Sequence, residues 1–145
     1  MPLVQHRNQI TAPLPVPVDF RVLVAEDDAV QGLLMMTFLD RLGVPAALVT
    51  DGAQAVRAVK DGVYALVLMD QLMPRMSGSE ATTLIREWER MTGREPTPIV
   101  AVTASAMKDE CEVYIRAGMD GILLKPFSVR DLARTVIFHA ESVGA

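Results

Sequence analysis

The sequence predicts an α/β fold in which a doubly wound, five-stranded parallel sheet carries helices on both faces. From Phe20 onward, five short runs rich in valine, leucine and isoleucine alternate with five amphipathic segments. The apolar runs are continuous, which is typical of strands buried on both faces of a parallel sheet. Residues that favour helix starts and ends stand at the boundaries of the amphipathic segments. The regular alternation therefore indicates repeated β-α units.

Each predicted element follows from its local pattern. The predicted strands cover residues 21–25, 46–50, 64–69, 99–103 and 121–124. The predicted helices cover residues 29–42, 53–60, 79–91, 106–117 and 129–139. Three helices begin with an N-cap acceptor and a polar residue three positions later, namely Asp28/Gln31, Ser77/Glu80 and Ser128/Asp131. Gly43 and Gly118 stand where a helix C-terminus favours left-handed backbone.

The totals favour one soluble domain behind a short tail. Residues 1–19 are expected to form a flexible tail, because Pro13, Pro15 and Pro17 exclude a helix there, and residues 20–145 to form a single domain. The net charge of −4 argues against a nucleic-acid partner. No stretch is apolar enough to span a membrane, and no signal-peptide pattern is present. One cysteine, Cys111, fits a reducing compartment, so we expect a cytoplasmic protein.

Polar residues stand at the carboxyl ends of four predicted strands. Glu26 and Asp27 follow the first strand, Asp70 follows the third, Thr103 ends the fourth and Lys125 follows the fifth. The carboxyl ends of parallel strands meet at one edge of the sheet, where ligands bind in such folds. Each residue alone has an ordinary explanation, such as a solvated loop, a strand end or a surface charge. Their joint occurrence favours a functional site.

This set of side chains suits phosphoryl transfer beside a metal ion. Clustered carboxylates repel one another unless a cation lies among them, and oxygen ligands favour Mg²⁺. Asp70 could act as a nucleophile toward phosphorus. Lys125 and Thr103 could neutralise or hydrogen-bond the phosphoryl oxygens.

The segments that carry these residues resemble the receiver family of response regulators. They read VLVAEDD (22–28), LVLMDQLMPRMSG (66–78), PIVAVTA (98–104), AGMDG (117–121) and LKPF (124–127). Their order and spacing match the family over roughly residues 20–140, in the manner of receivers attached to hybrid sensor kinases. The resemblance implies a flavodoxin-like fold with strand order 2-1-3-4-5.

The resemblance also implies a role for each residue of the site. Asp70 would accept a phosphoryl group from a sensor histidine kinase or a histidine phosphotransfer protein, with Mg²⁺ as cofactor. Asp27, Asp70 and the backbone carbonyl of Leu72 would ligate the metal, and Glu26 would act on it through water. Lys125 would pair with Asp70 and then with the phosphate, to which Thr103 would move. The Lys125–Pro126 peptide bond is expected to be cis.

Three positions depart from the family pattern. Ser77 replaces the usual aspartate before Gly78, and Leu72 has no polar group to hold an attacking water. Ile122 stands three residues before Lys125, where the family often has tyrosine or phenylalanine. We therefore expect activation to shift the segment 105–117, beginning at Ser105, while Ile122 remains a fixed apolar contact.

Two alternative functions compete with a regulatory phosphoacceptor that catalyses only its own phosphorylation and dephosphorylation. One is a phosphatase of the haloacid dehalogenase type, but that family places Asp-x-Asp after its first strand. The other is a receiver-like scaffold without turnover, which the presence of Asp70 with Asp27, Thr103 and Lys125 argues against. A dinucleotide enzyme is disfavoured because no Gly-x-Gly-x-x-Gly follows the first strand.

Overall fold

The computed structural model describes residues 13–144, so the first part of the predicted tail lies outside the described range. Strands and helices alternate along the described chain. The strands are β1 (Val22–Ala25), β2 (Ala46–Val49), β3 (Leu66–Asp70), β4 (Ile99–Thr103) and β5 (Gly121–Leu124). The helices are α1 (Ala29–Arg41), α2 (Gly52–Asp61), α3 (Gly78–Thr92), α4 (Lys108–Ala117) and α5 (Val129–Gly144). Among the described residues, no helix is both long and apolar enough to cross a bilayer.

The five strands form one parallel sheet in the order β2-β1-β3-β4-β5, which confirms the predicted fold class and strand order. After β1 the chain adds β2 on one side, and it then crosses to add β3, β4 and β5 on the other. Because all strands run the same way, their carboxyl ends share one edge. The reversal of strand order beside β1 opens a crevice at that edge.

The core forms two layers, one on each face of the sheet. Alternate residues of the central strands point into opposite layers, as the period of two requires. One layer packs α1 and α5 against the sheet around Met35, Leu39 and Leu132. The other packs α2, α3 and α4 around Val59, Ile85 and Tyr114. The sheet edge that carries the polar residues is therefore supported from both sides.

Burial on both faces holds for the three inner strands and not for the two edge strands. Every residue of β1, β3 and β4 is buried. In β2 no residue is fully buried, and in β5 only Leu123 is. An edge strand has a neighbour on one side only, so part of its surface stays open to solvent. The sequence predicts a fully buried strand in all five cases because its apolar runs look alike.

The predicted helix ends are confirmed by hydrogen bonds and backbone angles. The Asp28 carboxylate accepts from the Gln31 N–H at 2.9 Å. Ser77/Glu80 and Ser128/Asp131 form reciprocal pairs, in which each side chain accepts from the backbone N–H of the other residue. Gly43 and Gly118 have φ of 72° and 101°, the left-handed region that ends a helix without steric cost.

Some boundaries differ from the prediction. α4 begins at Lys108 rather than at 106, because Met107 has an extended backbone and provides no side-chain cap. β3 extends to Asp70, whose backbone pairs with β4 at Val102. In the described part of the tail, the Leu14 N–H donates to the Leu42 carbonyl at 2.9 Å, and Leu14 packs against the core.

Candidate functional site

The strand ends bring the predicted side chains to one place. Glu26 directly follows β1, where its N–H donates to Val49 of β2. Asp70 is the last residue of β3, and Thr103 is the last of β4. The Lys125 N–H donates to the Thr103 carbonyl at 2.8 Å, which places Lys125 beside the end of β4. The Lys125–Pro126 peptide bond is cis.

Three carboxylates form a compact acidic cluster at this edge. Glu26, Asp27 and Asp70 each offer an oxygen within 4.8 Å of the others, an arrangement that could hold a metal ion. Glu26 and Asp70 are buried, with 2% and 6% of their surface exposed. Asp27 is exposed, so the cluster opens to solvent on its side. Oxygen donors partly open to water suit a hard divalent cation.

One ammonium group faces the cluster. The Lys125 Nζ lies 2.8 Å from Glu26 Oε1 and 3.5 Å from Asp70 Oδ1. The lysine therefore contacts both buried carboxylates and lies closer to Glu26. A single positive charge cannot neutralise the negative charges of the whole cluster.

The unequal surroundings separate the pKa values of the two buried acids. Burial, followed by the nearby carboxylate of Glu26, raises the pKa of Asp70 to about 7. Burial would also raise the pKa of Glu26, but hydrogen bonds with Asp70, Lys125 and the Asp28 N–H lower it. Burial would lower the pKa of Lys125, but its hydrogen bond to Glu26 and the charge of Asp70 raise it. Without a bound cation, Asp70 is thus the one of the two buried acids that keeps a proton more readily.

The loop after β3 is held tightly against Asp70. A Cβ on Gly78 would lie 2.4 Å from the Asp70 carbonyl oxygen, so only glycine permits this approach. The Gln71 side-chain amide bonds twice to Ser79, accepting from its N–H at 2.8 Å and donating to its hydroxyl at 3.0 Å. Within the loop, the Leu72 N–H donates to Asp70 Oδ1 at 3.4 Å. The Leu72 side chain is 81% exposed, so its backbone rather than its side chain faces the cluster.

A second contact of this loop was not predicted from the sequence. Arg75, which has a left-handed backbone with φ of 66°, bonds to the buried Asp51 carboxylate at 3.2 Å. Asp51 also caps α2 by accepting from the Gln54 N–H. Asp51 has the sequence signal of a cap, but its pairing with Arg75 depends on packing between distant segments.

The hydroxyl of Thr103 also has partners that the sequence did not reveal. It donates to the Ser105 carbonyl at 3.2 Å and accepts from the Ser105 N–H at 3.3 Å. It further accepts from the hydroxyl of Tyr114 on α4, at 3.3 Å. The Ser105 hydroxyl donates to Glu110 at 2.6 Å. Helical spacing could have marked Tyr114 as an inward residue, but its contact with Thr103 depends on how α4 packs.

Ile122 lies on the edge strand β5, away from this set of hydrogen bonds. Its side chain is 37% exposed, whereas the next residue, Leu123, is buried. Among the residues predicted for readout, the structure brings Thr103 and Ser105 together and leaves Ile122 on the surface of the sheet edge.

Comparison with known proteins agrees with this geometry. A family model described as the response regulator receiver domain matches residues 22–137. The chain is 43% identical over 117 residues to the sensor protein GacS of Pseudomonas syringae pv. syringae. The matched region covers 81% of this chain and 13% of GacS. The chain therefore spans a small part of the length of this relative.

Solved structures show the same fold. The receiver domain of the sensor histidine kinase PA1611 from Pseudomonas aeruginosa, solved with a magnesium ion in its active-site cleft, is 34% identical. It has a TM-score of 0.75 over 84% of this chain and 98% of that one. The receiver domain of the Saccharomyces cerevisiae response regulator Ssk1, solved with the histidine phosphotransfer protein Ypd1, is 27% identical. Its TM-score is 0.85 over 91% of this chain and 95% of that one.

The raised pKa of Asp70 predicts how replacing this carboxylate by a neutral amide changes the free energy of unfolding. Because the folded-state pKa, about 7, lies above that of the unfolded chain, ionisation of Asp70 destabilises the fold as the pH rises toward 7. With metal ions chelated, Asp70→Asn should therefore raise the free energy of unfolding at about pH 8 by about 2 kcal/mol, or Tm by roughly 5 °C. Most of the gain should be lost near pH 4, where Asp70 is protonated in the folded state and about half protonated in the unfolded chain.

Thermal unfolding at both pH values measures this effect. The exposed Asp40 on α1 provides a matched control, and Asp40→Asn should change stability little at either pH. Equal stabilisation by Asp70→Asn at both pH values would show that ionisation of Asp70 is not the cause.

Proposed function

The chain belongs to the response regulator receiver domain family, and we propose that Asp70 accepts a phosphoryl group from a phosphohistidine of a partner protein. The observation that carries this assignment is the position of Asp70. It is the buried carboxylate at the end of a central strand, beside one lysine and two further carboxylates. Membership of this family favours a phosphoacceptor over a phosphatase of the haloacid dehalogenase type.

The surroundings of Asp70 fit the transfer step. An oxygen of the Asp70 carboxylate attacks phosphorus, the P–N bond to the histidine breaks, and the imidazole leaves with its electron pair. Phosphoryl transfer depends mainly on alignment and on neutralising the transferred oxygens. Lys125, 3.5 Å from Asp70, is placed to pair with one of these oxygens, and the Thr103 hydroxyl could donate to another. Asp70 attacks in its ionised form, and the phosphohistidine ring carries a proton on its other nitrogen, so that imidazole leaves as a neutral group.

The residues at the cluster fit Mg²⁺ as the cofactor. Three carboxylates meet one ammonium group, so the cluster carries an excess of negative charge. Burial and the nearby carboxylate of Glu26 together raise the pKa of Asp70 to about 7. Glu26, Asp27, Asp70 and the Leu72 carbonyl would hold the ion, with Glu26 acting through water. Bound Mg²⁺ would neutralise the carboxylates and the charge on the transferred group.

An apolar patch beside the site supports a docked protein donor. Val30, Leu33 and Leu34 lie on the first two turns of α1, which begins directly after the acidic cluster, and they are 74%, 68% and 39% exposed. Leu48 of β2, also 39% exposed, lies against this helix at Gly32. Exposed apolar patches of this kind mark protein interfaces. A sensor histidine kinase or histidine phosphotransfer protein docked here would present its histidine to Asp70.

On this proposal the domain is a regulatory phosphoacceptor that catalyses only its own phosphorylation and dephosphorylation. Its receiver unit would comprise residues 20–145, with residues 1–19 as an N-terminal tail. A cytoplasmic location fits the free thiol of Cys111.

Labelling by a small phosphodonor tests the acceptor. The protein incubated with acetyl phosphate and Mg²⁺ should gain the mass of one phosphoryl group, in a base-labile adduct. Asp70→Asn should abolish the adduct, since an amide oxygen is a far poorer nucleophile, whereas Asp40→Asn should be labelled like the wild type. Labelling that survives in Asp70→Asn would exclude this acceptor, and a wild type that is never labelled would favour a scaffold without turnover.

The metal site predicts a second response. Mg²⁺ should raise Tm by several degrees at a hundredfold excess over its Kd, because ligand binding to the folded state alone stabilises by about 2.7 kcal/mol there. Asp27→Ala should remove most of this increase. The neighbouring Asp28 caps α1, and asparagine can also cap, so Asp28→Asn should retain it. A full increase in Asp27→Ala would show that Asp27 is not a ligand.

The apolar patch predicts that a substitution there slows phosphoryl transfer from a protein donor and leaves transfer from a small-molecule donor unchanged. Leu33→Ser should slow transfer from a phosphorylated phosphotransfer protein of the same genome by about tenfold, since one buried leucine at an interface contributes about 1.5 kcal/mol or more. Labelling by acetyl phosphate should not change. Leu84→Ser, at a leucine on α3 that is 41% exposed, serves as the control and should affect neither donor. Equal slowing with both donors would show a defect of the site rather than of docking.

A further inference from the structure

The hydroxyl of Thr103 is fully engaged in this structure. A hydroxyl has one proton to donate and two lone pairs to accept with. The proton goes to the Ser105 carbonyl, and the two acceptor positions are taken by the Ser105 N–H and the Tyr114 hydroxyl. Donation to a new acceptor therefore costs Thr103 its bond to the Ser105 carbonyl. A rotation that turns the hydroxyl toward Asp70 would also move its oxygen away from the Ser105 N–H and the Tyr114 hydroxyl, which now donate to it.

Those contacts tie Thr103 to α4. Tyr114 is 3% exposed and is the only buried residue among the ten of this helix. Met107 at the start of the helix provides no capping side chain, and Ile115 is 71% exposed. The Ser105–Glu110 hydrogen bond adds a second link between the loop and the first turn of α4. The position of α4 thus depends on few contacts, and one of them ends on Thr103.

We propose that Tyr114 couples the occupancy of the Asp70 site to α4. Its hydroxyl holds Thr103 while Asp70 is unmodified, and it loses this partner when Thr103 donates to a phosphoryl oxygen. This coupling rests on the proposed function, because it requires an oxygen on Asp70 that Thr103 can reach. Tyr114 acts through Thr103 and is a positioning residue rather than a catalytic one.

The geometry explains why a residue of α4 can serve this purpose here. Ile122 on β5 has no hydroxyl, and its β-branched side chain has restricted rotamers. The Tyr114 ring is enclosed and its hydroxyl reaches the same atom of Thr103 that would bind the phosphate. Once that hydroxyl loses its partner within a buried site, the ring and the helix must shift to satisfy it, because a buried unpaired donor is unfavourable.

The two tyrosines of the chain allow a matched test. Tyr114→Phe removes the hydroxyl and keeps the ring. Tyr64→Phe makes the same change at a ring that packs against Arg21, just before β3 and at the opposite end of the sheet. Binding of beryllofluoride, a phosphoryl analogue, is measured with Mg²⁺ for the wild type and both variants.

Tyr114→Phe should bind beryllofluoride about three- to tenfold more tightly, because the hydrogen bond that binding must break is already absent. Tyr64→Phe should bind like the wild type. Backbone amides of 108–117 should exchange faster in free Tyr114→Phe than in the free wild type, and the rest of the sheet should not. A purely structural role for Tyr114 predicts a lower Tm with unchanged or weaker binding, and that result would overturn the coupling.

The substitution Thr103→Val tests whether Tyr114 acts through its hydrogen bond to Thr103. In that background, adding Tyr114→Phe should change neither beryllofluoride affinity nor α4 exchange, and a change as large as in the wild-type background would contradict the proposed contact. If Tyr114→Phe does not fold, Thr103→Val provides the second variant, since it removes the acceptor of the same hydrogen bond. Backbone amides of 108–117 should then exchange faster than in the free wild type, and unchanged exchange would overturn the coupling. A wild type that does not bind beryllofluoride would refute the proposed function itself.

Discussion

Two buried carboxylates that share one lysine are the constraint on which the rest of the site depends. Glu26 and Asp70 come from neighbouring strands, and Lys125 reaches both from the end of β5. Burial and the carboxylate of Glu26 raise the pKa of Asp70 to about 7, and the lysine, which lies nearer to Glu26, offsets these effects only in part. This imbalance makes the site unfavourable as it stands and receptive to positive charge. Of the two buried carboxylates, the one that lies farther from the lysine is Asp70, the proposed phosphoacceptor.

The surrounding segments keep this imbalance from relaxing. The loop after Asp70 is fixed by the Gln71–Ser79 pair and by Arg75 on Asp51. Asp70 lies within the ladder of β3 and β4, and Met69 before it pairs with Ala25, the residue before Glu26, so the backbone keeps the two acids side by side. When both acids are ionised, a backbone shift therefore cannot relieve their repulsion, and a bound cation can.

The sheet, the helices and the residues at the strand ends could be predicted from the sequence. The contacts between side chains from distant segments could not. Continuous apolar runs predict β1, β3 and β4 well, because inner strands are buried on both faces. The same pattern overstates the burial of β2 and β5, since it carries no information on which strands lie at the edges. Asp70 and Lys125 were predicted because strand ends converge by topology. Tyr114 on Thr103 and Arg75 on Asp51 were not, because each depends on the packing of an element distant in sequence.

The contact of Gly78 with the Asp70 carbonyl limits how this domain can be altered. Any side chain at position 78 would push α3 away from β3, the strand that carries Asp70. The start of α3 and the end of β3 therefore keep a fixed distance. The segment between them therefore does not tolerate insertions. At the other end of α3, a Cβ on Gly93 would meet nothing within 4 Å, and residues 93–96 are all exposed. A reporter domain inserted into this receiver belongs there, at the edge of the sheet opposite the acidic cluster, where it would leave the aspartate and its supports unchanged.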